Sequence, residues 1–248
     1  MSIPATSLQR FTWRSASLTS KGNVRDHNED AMLDLPACGL WVVADGMGGH
    51  NAGDVASRMI IESLGPIGQH TRPSTFVDDV EARLRDVNER LYRVSLENNA
   101  GMSGSTVVAL LAFEGYCVSL WAGDSRVYRW RDGIFTQVTR DHSEIQEMLD
   151  EGVLTAQTVE KHGGSNVITR AVGGAQDLCL DLELRDLRHN DRYLLCSDGL
   201  YKDLPDAELA RHVGGNDPEG ACRALMKTAL AGTCSDNVTA IVVQFSAT

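Results

Sequence analysis

At 248 residues the chain has the length of one large domain or two small ones, and its 42% hydrophobic residues are enough for a substantial core. Its 34 acidic residues outnumber 23 basic ones, and the net charge of -11 argues against a general binder of nucleic acids or anionic membranes. The N-terminus shows no apolar signal segment, and the longest apolar run, residues 107–113, is too short to insert into a membrane.

Six cysteines occur along the chain, and none belongs to a C-x-x-C pair. Most of them stand in apolar surroundings, which predicts reduced, buried thiols rather than a disulfide framework. Together with the absence of a signal segment, this pattern predicts a cytoplasmic protein.

The first half of the chain predicts strands at residues 11–18 and 40–44, separated by a polar stretch at 21–30. Helices follow at 54–64 and 74–97. In the second helix apolar residues recur at spacings of three and four, which is typical of a face buried in the core.

From residue 105 the period changes, and four successive strands are predicted at 105–113, 116–122, 125–131 and 134–139. Glycine-containing turns separate these strands, and Asp132 with Gly133 is a typical hairpin turn. The pattern therefore predicts an antiparallel meander.

A short helix is expected to begin after Ser143, which forms a capping-box pattern with Gln146. Residues 153–176 are mixed in character and contain two Gly-Gly pairs, and we expect 143–176 to form a mobile flap segment beside the site. The remaining predicted elements are strands at 178–187, 192–197 and 237–245 and helices at 205–212 and 218–231. Helices are segregated from antiparallel strands, which predicts an α+β fold in a single domain over residues 1–248.

Three predicted strands carry an aspartate at one end. Asp45 and Asp198 each end an apolar run and precede a glycine, whereas Asp236 precedes the last strand. Carboxylates that meet at strand ends repel one another unless a cation neutralises them, and hard divalent cations prefer such oxygen ligands. We therefore hypothesise a metal site built on strand ends.

Two other interpretations of these aspartates are weaker. A single Asp-Gly pair is usually only a turn, but the pattern repeats here. The glycines after Asp45 also suggest a dinucleotide-binding loop, yet Asp45 would repel a pyrophosphate, and no acidic residue ends a second strand about twenty residues later.

Seven short motifs follow one another along the chain: VRDHNED at 24–30, VADGMGG at 43–49, GST at 104–106, GDSR at 123–126, DHS at 141–143, CSDG at 196–199 and DN at 236–237. In this order they resemble the metal-dependent (type 2C, PPM) protein phosphatases. The resemblance covers almost the whole chain. It is greatest to the compact bacterial branch, and within it to the phosphatases associated with type VI secretion.

This resemblance implies an αββα sandwich of two antiparallel sheets flanked by helices. It also implies a phosphoric monoester hydrolase that removes phosphate from serine and threonine in proteins. The cofactors would be Mn²⁺ or Mg²⁺, with two core ions and a weaker third. A phosphorylated protein substrate and a cognate serine/threonine kinase are the implied partners.

Carried over motif by motif, the resemblance implies that Asp45 bridges two ions and that the Gly46 carbonyl is a further ligand. Asp198 and Asp236 would hold the first ion, and Glu29 would hold the second, largely through water.

Four further residues take roles from the same resemblance. Asp124 with Asp198 would form the third site, and Asp30 would orient a metal-bound water. Arg25 would bind the phosphate, and Asn237 would support the metal site.

The chemistry agrees with these roles. Two divalent ions can lower the pKa of a shared water and supply the hydroxide that attacks phosphorus, while metal and Arg25 stabilise the phosphoryl oxygens. A guanidinium can bond two phosphate oxygens at once. No cysteine lies in a basic, glycine-rich loop, so a cysteine-dependent phosphatase is rejected.

One position departs from part of the family. Some members carry histidine directly after the Asp-Gly pair, where it can protonate the leaving oxygen, but this chain has Met47. We hypothesise that a water on a metal ion, at the third site, replaces this general acid.

Two rival functions remain at this point. A regulatory binding module without catalysis is disfavoured because the acidic residues of the motifs are all retained. A phosphatase for small phosphorylated metabolites would be distinguished by its relative rates on metabolites and phosphopeptides. No coiled coil or exposed apolar stripe is apparent, so we expect a monomer.

Overall fold

The computed structural model describes residues 10–48, 52–98, 103–159 and 167–248. The last glycine of the VADGMGG motif, Gly49, and residues 160–166 of the predicted flap segment lie outside the described residues.

Within these described ranges eleven strands form two sheets, and every strand pairing is antiparallel. The first sheet has the spatial order β1-β11-β10-β7-β8 and is built from β1 (Phe11–Ser20), β7 (Arg126–Arg131), β8 (Ile134–Gln137), β10 (Arg192–Cys196) and β11 (Val238–Ala247).

The second sheet has the order β2-β3-β5-β6-β9, with β4 paired to β3 beside this path. Its strands are β2 (Asp30–Leu35), β3 (Leu40–Met47), β4 (Gly104–Ser105), β5 (Val107–Phe113), β6 (Tyr116–Ala122) and β9 (Asp181–Asp186).

Helices cover the outer faces of both sheets or lie beside them. In chain order they are α1 (Ala52–Leu64), α2 (Pro73–Asn98), α3 (Glu144–Asp150), α4 (Ala156–Val159), α5 (Asp198–Tyr201), α6 (Asp206–Gly215) and α7 (Pro218–Ala231). In the described residues, no helix is both long and apolar enough to cross a membrane.

Three buried apolar clusters separate the layers. One lies between α1–α2 and the second sheet, one lies between the two sheets, and one lies between the first sheet and α6–α7. Between the sheets, Trp13, Trp41 and Phe245 pack edge to face with ring centroids about 6 Å apart. The predicted αββα sandwich is therefore confirmed.

The predicted meander is wrong. Strands β5 and β6 pair in the second sheet, whereas β7 and β8 pair in the first, so the chain crosses between sheets at Gly123 and Asp124. Gly123 has φ +111°, and a Cβ there would lie 2.7 Å from the Thr106 side chain, so only glycine fits this crossing.

Other differences from the prediction are local. Strand β2 was not predicted, and its first residue, Asp30, pairs in register with Asp45 of β3. The Ser143 hydroxyl accepts from the Gln146 N–H at 3.3 Å, but the Gln146 side chain bonds Asp150, so the capping box is only half formed. All six cysteines are free, as predicted, and four are buried, but Cys38 is half-buried and Cys179 is exposed.

Candidate metal centre

Asp45 lies near the end of β3, where neighbouring strands fix its backbone. The Thr106 hydroxyl accepts from the Asp45 N–H at 3.1 Å, and the Asp45 carbonyl accepts from the Thr106 N–H and the Ser105 hydroxyl at 2.9 and 3.0 Å. The half-buried carboxylate receives no hydrogen bond from any described residue. Its backbone is thus held rigidly, while both acidic oxygens are left for another ligand.

Asp30 is held opposite Asp45 and is only 8% exposed. Its Oδ2 accepts hydrogen bonds from the hydroxyls of Ser197 and Thr239 at 2.7 and 2.6 Å. Its buried Oδ1 has no partner among the described residues. One oxygen therefore anchors the side chain, and the other is an unused acceptor.

Asp198 and Asp236 flank two adjacent strands of the first sheet: Asp198 begins α5 just after β10, and Asp236 lies two residues before β11. Each forms an ion pair with a basic side chain: Asp236 with Arg25 at 2.9 Å, and Asp198 with Lys202. The Asn237 N–H also donates to Asp236 Oδ1 at 2.9 Å.

Asn237 connects the stretch before β2 to the start of β11. Its side-chain oxygen accepts from the Glu29 N–H at 2.8 Å, and its amide donates to the carbonyls of Lys21 and His27 at 3.1 and 2.9 Å. The Glu29 carbonyl in turn accepts from the Gly46 N–H at 3.1 Å. These bonds bring the Glu29 segment to the end of β3.

Asp124 lies in the crossing between the sheets and is 4% exposed. The Tyr201 hydroxyl donates to its carbonyl at 3.1 Å and, more weakly, to Oδ2 at 3.4 Å, whereas the buried Oδ1 has no described partner. The Arg126 guanidinium lies 3.6 Å from the Tyr201 ring centroid and pairs with Asp141 at 2.7 Å. This stack fixes Tyr201, and through it the position of Asp124.

Burial and mutual repulsion raise the pKa values of the clustered carboxyl groups. The pKa of Asp45 is raised well above its ordinary value, first by burial and then by the charges of Asp30, Asp198, Asp124 and Asp236. Burial, with the charge of Asp198 as a smaller cause, raises the pKa of Asp30 to about 7 and that of Asp124 to about 6. The structure therefore brings together the aspartates that the sequence placed far apart.

Glu29 lies at the edge of this cluster. Its pKa is raised mainly by burial, with Asp54 and Asp236 adding repulsion and Arg25 opposing it. Glu29 and Asp236 thus belong to the same side of the site as Arg25.

The cluster offers the ligand type that hard divalent cations prefer. Asp30 and Asp124 each have one buried carboxylate oxygen without a hydrogen-bond partner among the described residues. Such an oxygen destabilises the folded state unless a cation or a water molecule binds it. In the described part of the chain, however, no three His, Cys, Asp or Glu side chains stand close enough to share one ion. Arg25 and Lys202 instead pair with two of the carboxylates.

Comparison with known proteins decides the family. The profile of the family described as Protein phosphatase 2C matches residues 19–227 of this chain. The chain belongs to the protein phosphatase 2C family.

Curated relatives within this family are bacterial phosphatases. The serine/threonine protein phosphatase PstP of Mycobacterium tuberculosis is 35% identical over 231 residues, which cover 92% of this chain and 44% of PstP. The serine/threonine phosphatase stp of Listeria innocua is 34% identical and covers 77% of this chain and 79% of its own. This chain thus spans less than half the length of PstP.

Solved structures show the same fold. PppA, described as a key regulatory component of T6SS in Pseudomonas aeruginosa, superposes with a TM-score of 0.88 at 41% identity, covering 96% of this chain and 98% of PppA. The catalytic domain of PstP in complex with two manganese ions superposes with a TM-score of 0.85 at 33% identity, covering 95% and 99%. The predicted membership in the bacterial type 2C phosphatases is therefore confirmed.

The sequence did not point to four residues of this protein phosphatase 2C site. Ser197 and Thr239 hold Asp30, and Tyr201 and Lys202 contact Asp124 and Asp198. Three of these four are close to a recognised motif residue in sequence: Ser197 directly precedes Asp198, while Tyr201 and Lys202 follow it within four positions. The contacts of Ser197, Thr239 and Tyr201 could be seen only once the strands were placed together, whereas the Lys202–Asp198 pair joins residues four apart on one helical turn.

Gly46 is expected to tolerate no side chain. A Cβ there would lie 2.0 Å from the Gly53 carbonyl oxygen and 2.7 Å from the Glu29 carbonyl oxygen, so backbone would have to move. We predict that Gly46→Ala lowers the free energy of unfolding by about 1–3 kcal/mol and weakens Mn²⁺ binding, measured by chemical denaturation and calorimetry. Gly68→Ala, where nothing lies within 4 Å, is the control. Equal stability of the two variants would contradict the prediction.

Proposed function

We propose that this chain hydrolyses phosphoserine and phosphothreonine in proteins with Mn²⁺ or Mg²⁺ held by its carboxylate cluster. The observation that carries the proposal is the convergence of buried, mutually repelling carboxylates at strand ends in a protein phosphatase 2C fold. The PstP catalytic domain, with two manganese ions, supports the choice of cofactor.

In this proposal residues from both sheets would hold the two core ions. Asp45 would contribute its carboxylate to both ions, and the Gly46 carbonyl would add a ligand. Asp198 and Asp236 would hold the first ion, and Glu29 would hold the second, largely through water. Both oxygens of Asp236 accept hydrogen bonds, from Arg25 and from the Asn237 N–H, so the Arg25 ion pair would open when the first ion binds. Lys202 bonds only Oδ2 of Asp198, which would leave Oδ1 for that ion.

A weaker third site is proposed at Asp124 and Asp198. The unpartnered Oδ1 of Asp124 supports it, since this buried oxygen has no described donor. Met47 cannot donate a proton, so the leaving oxygen must take its proton from elsewhere in the site.

The bound ions would supply Lewis acidity, lowering the pKa of water and neutralising phosphoryl charge. The chain's own residues orient the attacking water and the phosphate. Asp30, fixed by two hydroxyls, offers Oδ1 as an acceptor to the attacking water. Arg25, whose side chain is 52% exposed, can turn from Asp236 to bond two phosphate oxygens.

The biological setting is also a proposal. We propose a phosphorylated protein substrate and a cognate serine/threonine kinase, with a role in type VI secretion supported by the structural similarity to PppA. We further propose a cytoplasmic monomer whose residues 1–248 form a single catalytic domain.

The test is phosphate release from a phosphothreonine peptide by the wild type, with Mn²⁺ and with a chelator. We expect release that requires Mn²⁺ and is faster than release from small phosphorylated metabolites. A phosphotyrosine peptide is the matched control substrate. No release at any Mn²⁺ concentration from well-folded protein would favour the binding-module hypothesis, and faster turnover of metabolites would favour the metabolite phosphatase.

A further inference from the structure

Few basic side chains face the carboxylate cluster. Among the described residues, its carboxylates form ion pairs with only two basic side chains, Arg25 on Asp236 and Lys202 on Asp198. Arg25 has a proposed role in binding phosphate. Lys202 has none, although it lies at the proposed third metal site.

Local geometry directs Lys202 to this position. It follows the one-turn helix α5, and its N–H donates to the Asp198 carbonyl at 2.9 Å. Residues four apart on a helical turn face each other, so the Lys202 ammonium reaches the Asp198 carboxylate. The Lys202 side chain is 34% exposed and that of Asp198 is 14% exposed, so the pair is partly shielded from water.

The ammonium also acts on the second carboxylate of the proposed third site. The positive charge of Lys202 stabilises the ionised form of Asp124, and the charges of Asp124 and Asp45 act on Lys202 in turn. Tyr201, the residue before Lys202, holds Asp124 through its hydroxyl. Two consecutive residues of the chain therefore contact the two carboxylates of this site.

We propose that the Lys202 ammonium is a tethered cation that competes with a metal ion for the Asp124–Asp198 carboxylate pair. A third ion would then bind only when Lys202 releases Asp198. This inference rests on the proposed function and adds a residue that controls how many ions the site holds.

Charge and space explain the competition. An ammonium hydrogen-bonded to Asp198 occupies a lone pair that a metal would need, and its charge repels a divalent cation a few ångströms away. At such distances this repulsion is large enough to weaken binding about tenfold, even with substantial solvent screening.

The experiment is a calorimetric titration with Mn²⁺ alone on the full chain. Lys202→Met removes the charge and keeps most of the stem, and Lys227→Met is the matched control. Lys227 is exposed on α7 and has no ion pair with a described residue, so both variants change the net charge equally. We expect the third binding step to tighten about tenfold in Lys202→Met and to stay unchanged in Lys227→Met.

A double variant that combines Asp124→Asn with Lys202→Met tests whether the gain in Mn²⁺ affinity arises at the third site. If Lys202 acts at the third site, the gain in Mn²⁺ affinity disappears in the double variant. Equal titration curves for Lys202→Met and Lys227→Met would overturn the inference, as would a gain that survives Asp124→Asn. Should Lys202→Met fail to fold, Lys202→Gln gives the same comparison.

These outcomes are separate from failure of the proposed function. If the wild type binds no Mn²⁺, the metal centre itself is wrong. If the wild type binds two ions and hydrolyses the phosphothreonine peptide while Lys202→Met changes nothing, only the role of Lys202 is wrong.

Discussion

Asp45→Asn is expected to abolish Mn²⁺-dependent hydrolysis, lowering turnover of a phosphothreonine peptide about a thousandfold or more. A metal centre supplies several kcal/mol of transition-state stabilisation, and about 4 kcal/mol corresponds to a thousandfold. Asparagine keeps the shape of Asp45 but removes the charge proposed to bridge both ions. The measurements are initial rates over a range of Mn²⁺ concentrations and calorimetric Mn²⁺ binding.

The same substitution should stabilise the protein in the presence of a chelator. Four carboxylates repel the ionised Asp45, and its burial also opposes ionisation. At pH 8 the neutral amide therefore removes an unfavourable electrostatic free energy from the folded state. Asp86→Asn is the control, because Asp86 is exposed on α2 and its ion pair with Arg90, at 3.7 Å, contributes little. An Asp45→Asn variant that is less stable than wild type without metal, or that keeps its Mn²⁺-dependent turnover, would contradict the proposed centre.

The stability of the metal-free protein is expected to fall as the pH rises from about 5 to about 8. In the folded state the pKa of Asp30 is raised to about 7 and that of Asp124 to about 6, from an ordinary value of 3.8. Between the ordinary and raised values the folded state holds protons that the unfolded state has lost. Protonation therefore favours folding at low pH, and this contribution is lost as the pH rises through the raised values.

The expected size follows from Asp30, which is 8% exposed. Over the two pH units between about 5 and the raised pKa of about 7, the titration of Asp30 lowers the free energy of unfolding by about 3 kcal/mol, or roughly 5–10 °C in melting temperature for a domain of this size. With saturating Mn²⁺ the slope should reverse, because the metal binds the deprotonated carboxylates. Melting temperatures across this pH range, with chelator and with Mn²⁺, make the comparison.

Asp30→Asn is the variant that identifies the source of this slope. It should make the pH dependence in chelator less steep, since the amide does not titrate, and leave the part of the slope that comes from Asp45 and Asp124. Parallel curves with and without Mn²⁺ would show that the cluster does not govern the pH dependence. An unchanged slope in Asp30→Asn would show that another group does.

Much of this protein could be predicted from local sequence. Helix α7 has the predicted bounds, 218–231, because Asp217 caps its start, accepting from the Gly220 N–H at 2.8 Å, and Pro218 fits its first turn. The aspartates at the ends of β3 and β10 were recognisable because an apolar run stopped at an Asp-Gly pair. Signals of this kind depend on residues a few positions apart.

The predicted meander shows that local signals do not determine which sheet a strand joins. Residues 105–139 contain the predicted strands almost as expected, yet two belong to each sheet. The alternation of apolar residues is the same whichever sheet a strand joins, so periodicity cannot report the crossing at Gly123. Packing of side chains between the sheets decides it.

The organisation of the site depends still more on tertiary structure. The hydroxyls that hold Asp30 come from Ser197 and Thr239, which lie 167 and 209 positions away in sequence. The motifs identified which carboxylates belong to the site. Only the packing of the two sheets decided which oxygen of Asp30 is anchored and how strongly the aspartates raise one another's pKa, because these properties arise between distant segments brought into one buried place.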